Sequence, residues 1–228
     1  MSKNILVIAA HPDDEILGAG GTVRRHILAG DTAQALVICE GVSMRYKGQN
    51  VPQAEHGLRA AEILGFSSFE ILNLPDQHLD MMSLVDIITP IEERVRRLRP
   101  QIVYTHFGGD INRDHQLVFE AVMVACRPIE GYIEAIYSFE TPSATEWNAP
   151  MRFLPNYFVD ISATLEDKLR AFACYESEVR EYPHPRSLES LRHRAHYWGN
   201  LVNISTAEAF FSWRRIWKDP ENGKASHY

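Results

Sequence analysis

Residues 5–21 read ILVIAAHPDDEILGAGG, an apolar run that meets a histidine, a proline and three consecutive acids before a string of glycines. The apolar run, extended back to Asn4, is rich in β-branched residues and suits a central parallel strand over Asn4–Ala9, buried on both faces. Pro12 ends that strand. Ile16, Leu17, Val23, Ile27 and Leu28 then share one face of a helix that Gly30 stops. One acid beside the first turn of a helix is explained by the helix dipole. Three acids and a histidine are not, because adjacent carboxylates raise one another's pKa unless a cation or donor neutralises them.

The same alternation continues outward from this stretch. Ala35–Cys39 repeats the buried-strand pattern, EHGLRAAEILGF predicts a helix ended by Gly65, and Phe69–Leu74 is the next strand. A helix is expected over Ser83–Leu98, a strand over Ile102–His106, and a second strand-like run at IEAIYSFE. Between these two, GGDINRDHQLVFEAVMVAC is a glycine-bearing loop running into a helix, with Leu117, Val118, Ala121, Val122 and Ala125 on its buried face. Strands alternating with helices imply an α/β fold, a mostly parallel sheet covered by helices on both sides. Ligands of such folds gather outside the carboxyl ends of the strands. His11–Glu15, Asp76–Asp80 and His106–His115 therefore share one rim.

From about Thr164 the pattern is mainly helical, with REYPHPRS as a loop between two helices. Tyr197, Trp198, Phe210, Phe211, Trp213 and Trp217 fall at helical spacings, which suggests core or a subunit interface for a homo-oligomer. No linker or repeat divides the chain, so residues 1–228 are expected to form one domain.

The net charge of −7 argues against a nucleic-acid binder, which needs a basic face for phosphates. The one basic cluster, ERVRRLRP at Glu93–Pro100, fits the solvated face of a helix. The N-terminal apolar run is too short for a signal peptide or a membrane span, so a cytoplasmic protein is expected. Cys39, Cys126 and Cys174 are odd in number and far apart, which points to buried free thiols rather than a disulfide framework.

A divalent cation would resolve the repulsion in HPDDE, and imidazole with carboxylate oxygen suits Zn²⁺ or a related first-row metal. His11 and one aspartate supply two ligands, so a third must come from elsewhere on the rim. The best source is DINRDH, where Asp110, Asn112, Asp114 and His115 crowd a helix start; Asp110 and Asp114 could also simply cap that helix.

HPDDE at the end of the first strand, joined to a downstream D-x-[HN]-x-D-H segment, resembles the PIG-L/LmbE-like family of zinc-dependent N-deacetylases. The likeness extends through GLRAAEILGF, LNLPDQHLD and the C-terminal helical cap. It implies a three-layer Rossmann-like fold and a hydrolase that removes an N-acetyl group from an amino sugar or nucleotide sugar, releasing acetate. By position, His11, Asp14 and His115 would hold Zn²⁺ and Asp13 would be the general base. Glu15 would either support the site or cap the helix, and Asp110 and Asp114 would stand behind the ligands. Arg59 and Asp76 match residues that contact sugar hydroxyls or phosphate in relatives, although Arg59 could instead pair with Glu62. Arg186 offers a fork for a phosphate, and His184 is a histidine in reach of the substrate side. The chain departs from the family at Asn112, where most members carry histidine: an amide can hold an oxyanion but cannot deliver a proton to the leaving amine. That proton would come from Asp13, His184 or His106. Alternatives are an amide hydrolase acting on a modified amino acid, antibiotic or thiol conjugate, a non-catalytic sugar-nucleotide binder using GAGG as a phosphate cradle, and a scaffold that has lost activity.

Overall fold

The computed structural model describes residues 2–46 and 51–217. Seven strands, β1 (Asn4–Ala9), β2 (Thr32–Cys39), β3 (Ser68–Leu74), β4 (Ile102–His106), β5 (Ala135–Phe139), β6 (Tyr157–Asp160) and β7 (Ala207–Arg215), form one sheet in the order β3-β2-β1-β4-β5-β7-β6. β1 to β5 are parallel, whereas β7 runs antiparallel to both β5 and β6. Among the described residues six α-helices accompany them: α1 (Asp14–Leu28), α2 (Gln53–Leu64), α3 (Leu84–Leu98), α4 (Arg113–Ala125), α5 (Leu165–Ala173) and α6 (Leu188–Leu201).

Alternation along β1 divides the core. Leu6 and Ile8 pack with Ile87, Ile91 and Val95 of α3 and Leu117 and Val118 of α4. Ile5 and Val7 face Ala19 and Val23 of α1, and a neighbouring cluster adds Ala60 and Leu64 of α2, Phe172 of α5 and Leu191 of α6. The sheet is thus the middle of three layers. Each fully buried Leu or Ile contributes about 1.5–3 kcal/mol of transfer free energy, which is why an uninterrupted apolar run sits at the centre.

The glycines of α1 serve this packing. A Cβ on Gly18 would stand 2.2 Å from the Phe139 ring, and one on Gly21 would stand 2.9 Å from Ile161. GAGG therefore lets a helix approach the sheet closely, and the phosphate-cradle alternative has no turn to work with. Leu28 departs from expectation. It is 61% exposed, lying about 100° around the helix from Ile27, which packs against the core.

The C-terminal segment differs more. The aromatic run expected to be helical is β7, paired through Phe210 with Phe139, and β6 had no expected counterpart. Residues 210, 213 and 217 fit a helical spacing, but ladder pairing with β5 and β6 overrides so short a signal. Phe210 is fully buried, whereas Trp217 lies beyond the strand and is 91% exposed. Cys39 and Cys126 are buried as expected, but Cys174 is only half-buried. Among the described residues no helix is long and apolar enough to cross a membrane.

Candidate active site and metal centre

β1 has β2 on one side and β4 on the other, so the chain reverses its winding between β1 and β4. Loops leaving these two strands open a crevice at their carboxyl ends. His11 leaves β1 and His115 enters from the first turn of α4, after the loop that follows β4. Asp13, the residue before α1, has φ 111°, a left-handed backbone costly for a residue with a Cβ. This turn folds Asp14 back, so that its Oδ2 accepts the His11 backbone N–H at 3.0 Å.

Three ligand-type atoms converge. His11 Nδ1 lies 3.2 Å from Asp14 Oδ2 and 3.2 Å from His115 Nε2, and His115 Nε2 lies 3.2 Å from Asp14 Oδ2. All three residues are buried. Bonds of 2.0–2.1 Å to a tetrahedral zinc ion place ligand atoms about 3.3 Å apart, so the triangle fits such an ion. A further sign is that Asp14 Oδ1 is buried without a hydrogen-bond partner among the described residues.

Carboxylates stand behind both imidazoles. Asp114 Oδ2 is 3.0 Å from His11 Nε2, and it also accepts the Gln77 backbone N–H at 2.8 Å. Asp110 Oδ2 is 3.2 Å from His115 Nδ1, an ion-pair distance without hydrogen-bond alignment, and accepts the Thr145 hydroxyl at 2.7 Å. A carboxylate at the distal nitrogen directs the other nitrogen toward a cation. The cap of α4 is neither acid. Asn112 Oδ1 accepts the Asp114 N–H at 2.9 Å, while Asn112 Nδ2 donates to Gln77 Oε1 at 3.3 Å. Asn112 was expected at an oxyanion; its oxygen is committed to the helix, leaving only the amide protons for that purpose.

Asp13 is fully buried, and Arg186 Nη1 donates to its Oδ2 at 2.7 Å. Its Oδ1 has no partner among the described residues. Burial, opposed by the Arg186 charge, holds the Asp13 carboxyl well above its ordinary range. Glu15, weighed as a support of the site or a helix cap, lies in the first turn of α1. At the opening of α1, its Oε2 accepts the Asp13 backbone N–H at 3.1 Å and its Oε1 accepts the Tyr175 hydroxyl at 2.5 Å. Burial pushes its pKa up to about 7.

Other expected residues fall differently. Arg186 was expected to face a phosphate, but Nη1 also donates to Glu178 Oε2 at 2.9 Å and Nε to Ser143 Oγ at 2.9 Å, so protein acceptors occupy Nη1 and Nε. Arg59 stands on the exposed face of α2, 3.7 Å from Glu176 rather than paired with Glu62. Asp76 is buried with Oδ1 3.3 Å from His11 Nε2, directed at the ligand cluster more than outward. His184 is half-buried, its Nδ1 accepting the Arg186 backbone N–H at 3.0 Å and its ring edge-on to Trp147. His106 stacks on His115 with centroids 3.9 Å apart; its Nε2 accepts the Ala10 N–H at 2.8 Å and its Nδ1 faces the Thr141 hydroxyl at 3.1 Å. Burial holds its pKa well below the histidine range, and both ring nitrogens are engaged within the protein, at Ala10 and Thr141.

Sequence reasoning missed Glu178, Tyr175 and Cys39. The Cys39 thiol lies 3.7 Å from Asp114 Oδ2, and only its place at the end of β2 signals this. Glu178 and Tyr175 lie after α5 with no periodicity to mark them.

Known proteins share this architecture. The chain is 30% identical over 221 residues to the diacetylchitobiose deacetylase of Thermococcus kodakarensis, covering 90% of this chain and 81% of the relative. It is 28% identical over 196 residues to the 4-oxalmesaconate hydratase of Pseudomonas putida, covering 75% and 72% respectively. The crystal structure of the conserved protein TT1542 from Thermus thermophilus superposes with a TM-score of 0.78 at 27% identity, over 96% of this chain and 98% of that one. Residues 6–126 match the family PIG-L, GlcNAc-PI de-N-acetylase, and the chain belongs to it.

Proposed function

We propose that residues 1–228 form one metal-dependent N-deacetylase domain that hydrolyses the acetamide of an amino sugar or nucleotide sugar, releasing acetate. The observation that carries this reading is the pairing of a buried His11–Asp14–His115 triangle with the unpartnered Oδ1 of Asp13 beside it. His11, Asp14 and His115 would hold Zn²⁺, to which a donor set of two imidazoles and a carboxylate is suited. A cation bound there supplies an acidified water and Lewis-acid polarisation of the acetyl carbonyl.

The chain's own residues supply proton transfer and orientation. Asp13 takes one proton from the water on Oδ1 as the water oxygen bonds to the acetyl carbon. As the C–N bond breaks, the same proton passes from Asp13 to the departing nitrogen, so the products are the free amine and acetic acid, which ionises to acetate. We assign both transfers to Asp13 because its unpartnered Oδ1 is the acid oxygen beside the triangle, whereas His106 is engaged at both nitrogens and Asn112 is an amide. Asn112 Nδ2 offers a hydrogen bond to the oxyanion. Asp76, whose Oδ2 has no hydrogen-bond partner among the described residues, would receive a sugar hydroxyl.

Acetate release from a panel of N-acetylated amino sugars and nucleotide sugars, with and without a chelator, tests the reading. Chelator-sensitive loss of one acetyl group is expected. Release that survives complete metal removal would overturn it, as would a protein that hydrates a carbon–carbon double bond of a dicarboxylic acid and leaves acetamides intact.

A further inference from the structure

Asp13, Arg186 and Glu178 are 0%, 8% and 1% exposed. They form a continuous ion chain. Arg186 Nη1 reaches Asp13 Oδ2 at 2.7 Å and Glu178 Oε2 at 2.9 Å. Glu178 Oε2 is in turn 2.9 Å from Arg45 Nη1. Its Oε1 accepts the Tyr46 hydroxyl at 2.5 Å and the Gln53 amide at 3.2 Å. Charges alternate along the chain, so two buried carboxylates face two guanidinium groups, and breaking any member leaves an uncompensated charge. The members come from separate parts of the fold: the turn before α1, the loop before α6, the segment after α5 and the loop after β2.

The geometry has a specific effect on Asp13. One oxygen is fixed by Arg186 and the backbone N–H is fixed by Glu15, so the carboxylate is locked in one orientation with Oδ1 open. A guanidinium bound only to Asp13 would pull the whole positive charge onto it and weaken it as a base. Glu178 shares that charge and, with Ser143 on Nε, fixes the Arg186 side chain. Resting on the hydrolase reading above, we infer that Arg186 and Glu178 are positioning residues for the general base: Arg186 selects Oδ1 as the working oxygen of Asp13, and Glu178 holds Arg186 and shares its charge. Neither serves as a substrate anchor.

The test is steady-state acetate release from diacetylchitobiose by metal-loaded wild type, Arg186→Ala, Arg186→Lys and Glu178→Gln, with metal content measured for each. Arg186→Ala is expected to lose about a hundredfold in kcat, the scale of an ångström-level misplacement of a catalytic group, with KM changing less than about threefold and the metal retained. Millimolar guanidinium should restore part of the lost kcat. Arg186→Lys keeps the charge and guards against failure to fold. Its compact ammonium cannot serve Asp13, Glu178 and Ser143 together, so kcat should fall at least about tenfold. Glu178→Gln should likewise lower kcat with KM held. A rise in KM with kcat intact in the Arg186 variants would overturn the inference and make Arg186 a substrate anchor, and wild-type kcat in Glu178→Gln would remove Glu178 from it. A wild type that releases no acetate from any N-acetylated sugar would instead defeat the hydrolase reading on which the inference rests.

Discussion

His11 Nδ1 and His115 Nε2 lie 3.2 Å apart in a buried cluster, with Asp14 Oδ2 3.2 Å from each. Two neutral imidazole lone pairs facing one another repel, so this pair is stable only with a proton or a cation between them. Replacing His115 with alanine should therefore reduce metal content, read by emission spectroscopy, from stoichiometric to near zero. Metal at 100 times its Kd should raise wild-type stability by about 2.7 kcal/mol, seen as a higher Tm, and leave the variant unchanged. Equal metal content in the two proteins would contradict the ligand assignment.

Glu15 makes stability depend on pH in a defined direction. Its folded pKa is raised to about 7 by burial, above the ordinary glutamate value, so the folded state holds a proton that the unfolded state releases. Stability is then highest below the unfolded pKa and declines until pH passes about 7, by roughly 3 kcal/mol in all. In metal-free protein, denaturant titrations should show wild type gaining on Glu15→Gln by this amount between pH 8 and pH 4.5. A difference that stays constant across that range would remove Glu15 as its source.

Gly18→Ala tests the role assigned to the glycines of α1. The added Cβ would stand 2.2 Å from the Phe139 ring, and Phe139 is fully buried, so the ring or the helix must shift. Overpacking of this kind costs about 1–3 kcal/mol, read as a lowered denaturation midpoint. A neutral substitution would mean that α1 does not lie so close to β5.

The Glu208 carboxylate accepts the backbone N–H groups of Gly21 and Thr22 at 2.9 and 2.7 Å and the Lys168 ammonium at 2.6 Å, all buried. Lys168→Met leaves that carboxylate without its counter-charge and should cost about 3–5 kcal/mol. Thermal denaturation checks this, with the double variant Lys168→Met, Glu208→Gln recovering part of the loss.

Much of the fold was legible because buried parallel strands announce themselves. β1 is apolar from Ile5 onward and β4 opens on the apolar Ile102 and Val103, and their boundaries match the expected ones at Asn4–Ala9 and Ile102–His106. β7 was not legible: AEAFFSWRR carries aromatic spacing that suits a helix, and only pairing with β5 and β6, far away in sequence, decides between the two. The gathering of His11, Asp14 and His115 could be expected from strand ends sharing a rim. The destination of Arg186 could not. An arginine between rigid loop residues signals a fork, but whether that fork meets a ligand phosphate or Asp13 and Glu178 depends on a long-range approach of three segments.

Single-turnover acetate release by metal-loaded Asp13→Asn, compared with wild type on the same N-acetylated amino sugar, tests the central claim most directly. Asparagine keeps the side-chain shape but cannot accept the water proton. A fall of at least about a hundredfold with metal content and substrate affinity unchanged is the predicted result. Acetate released at the wild-type rate would contradict the account, because the buried acid beside the His11–Asp14–His115 triangle would then have no part in the chemistry.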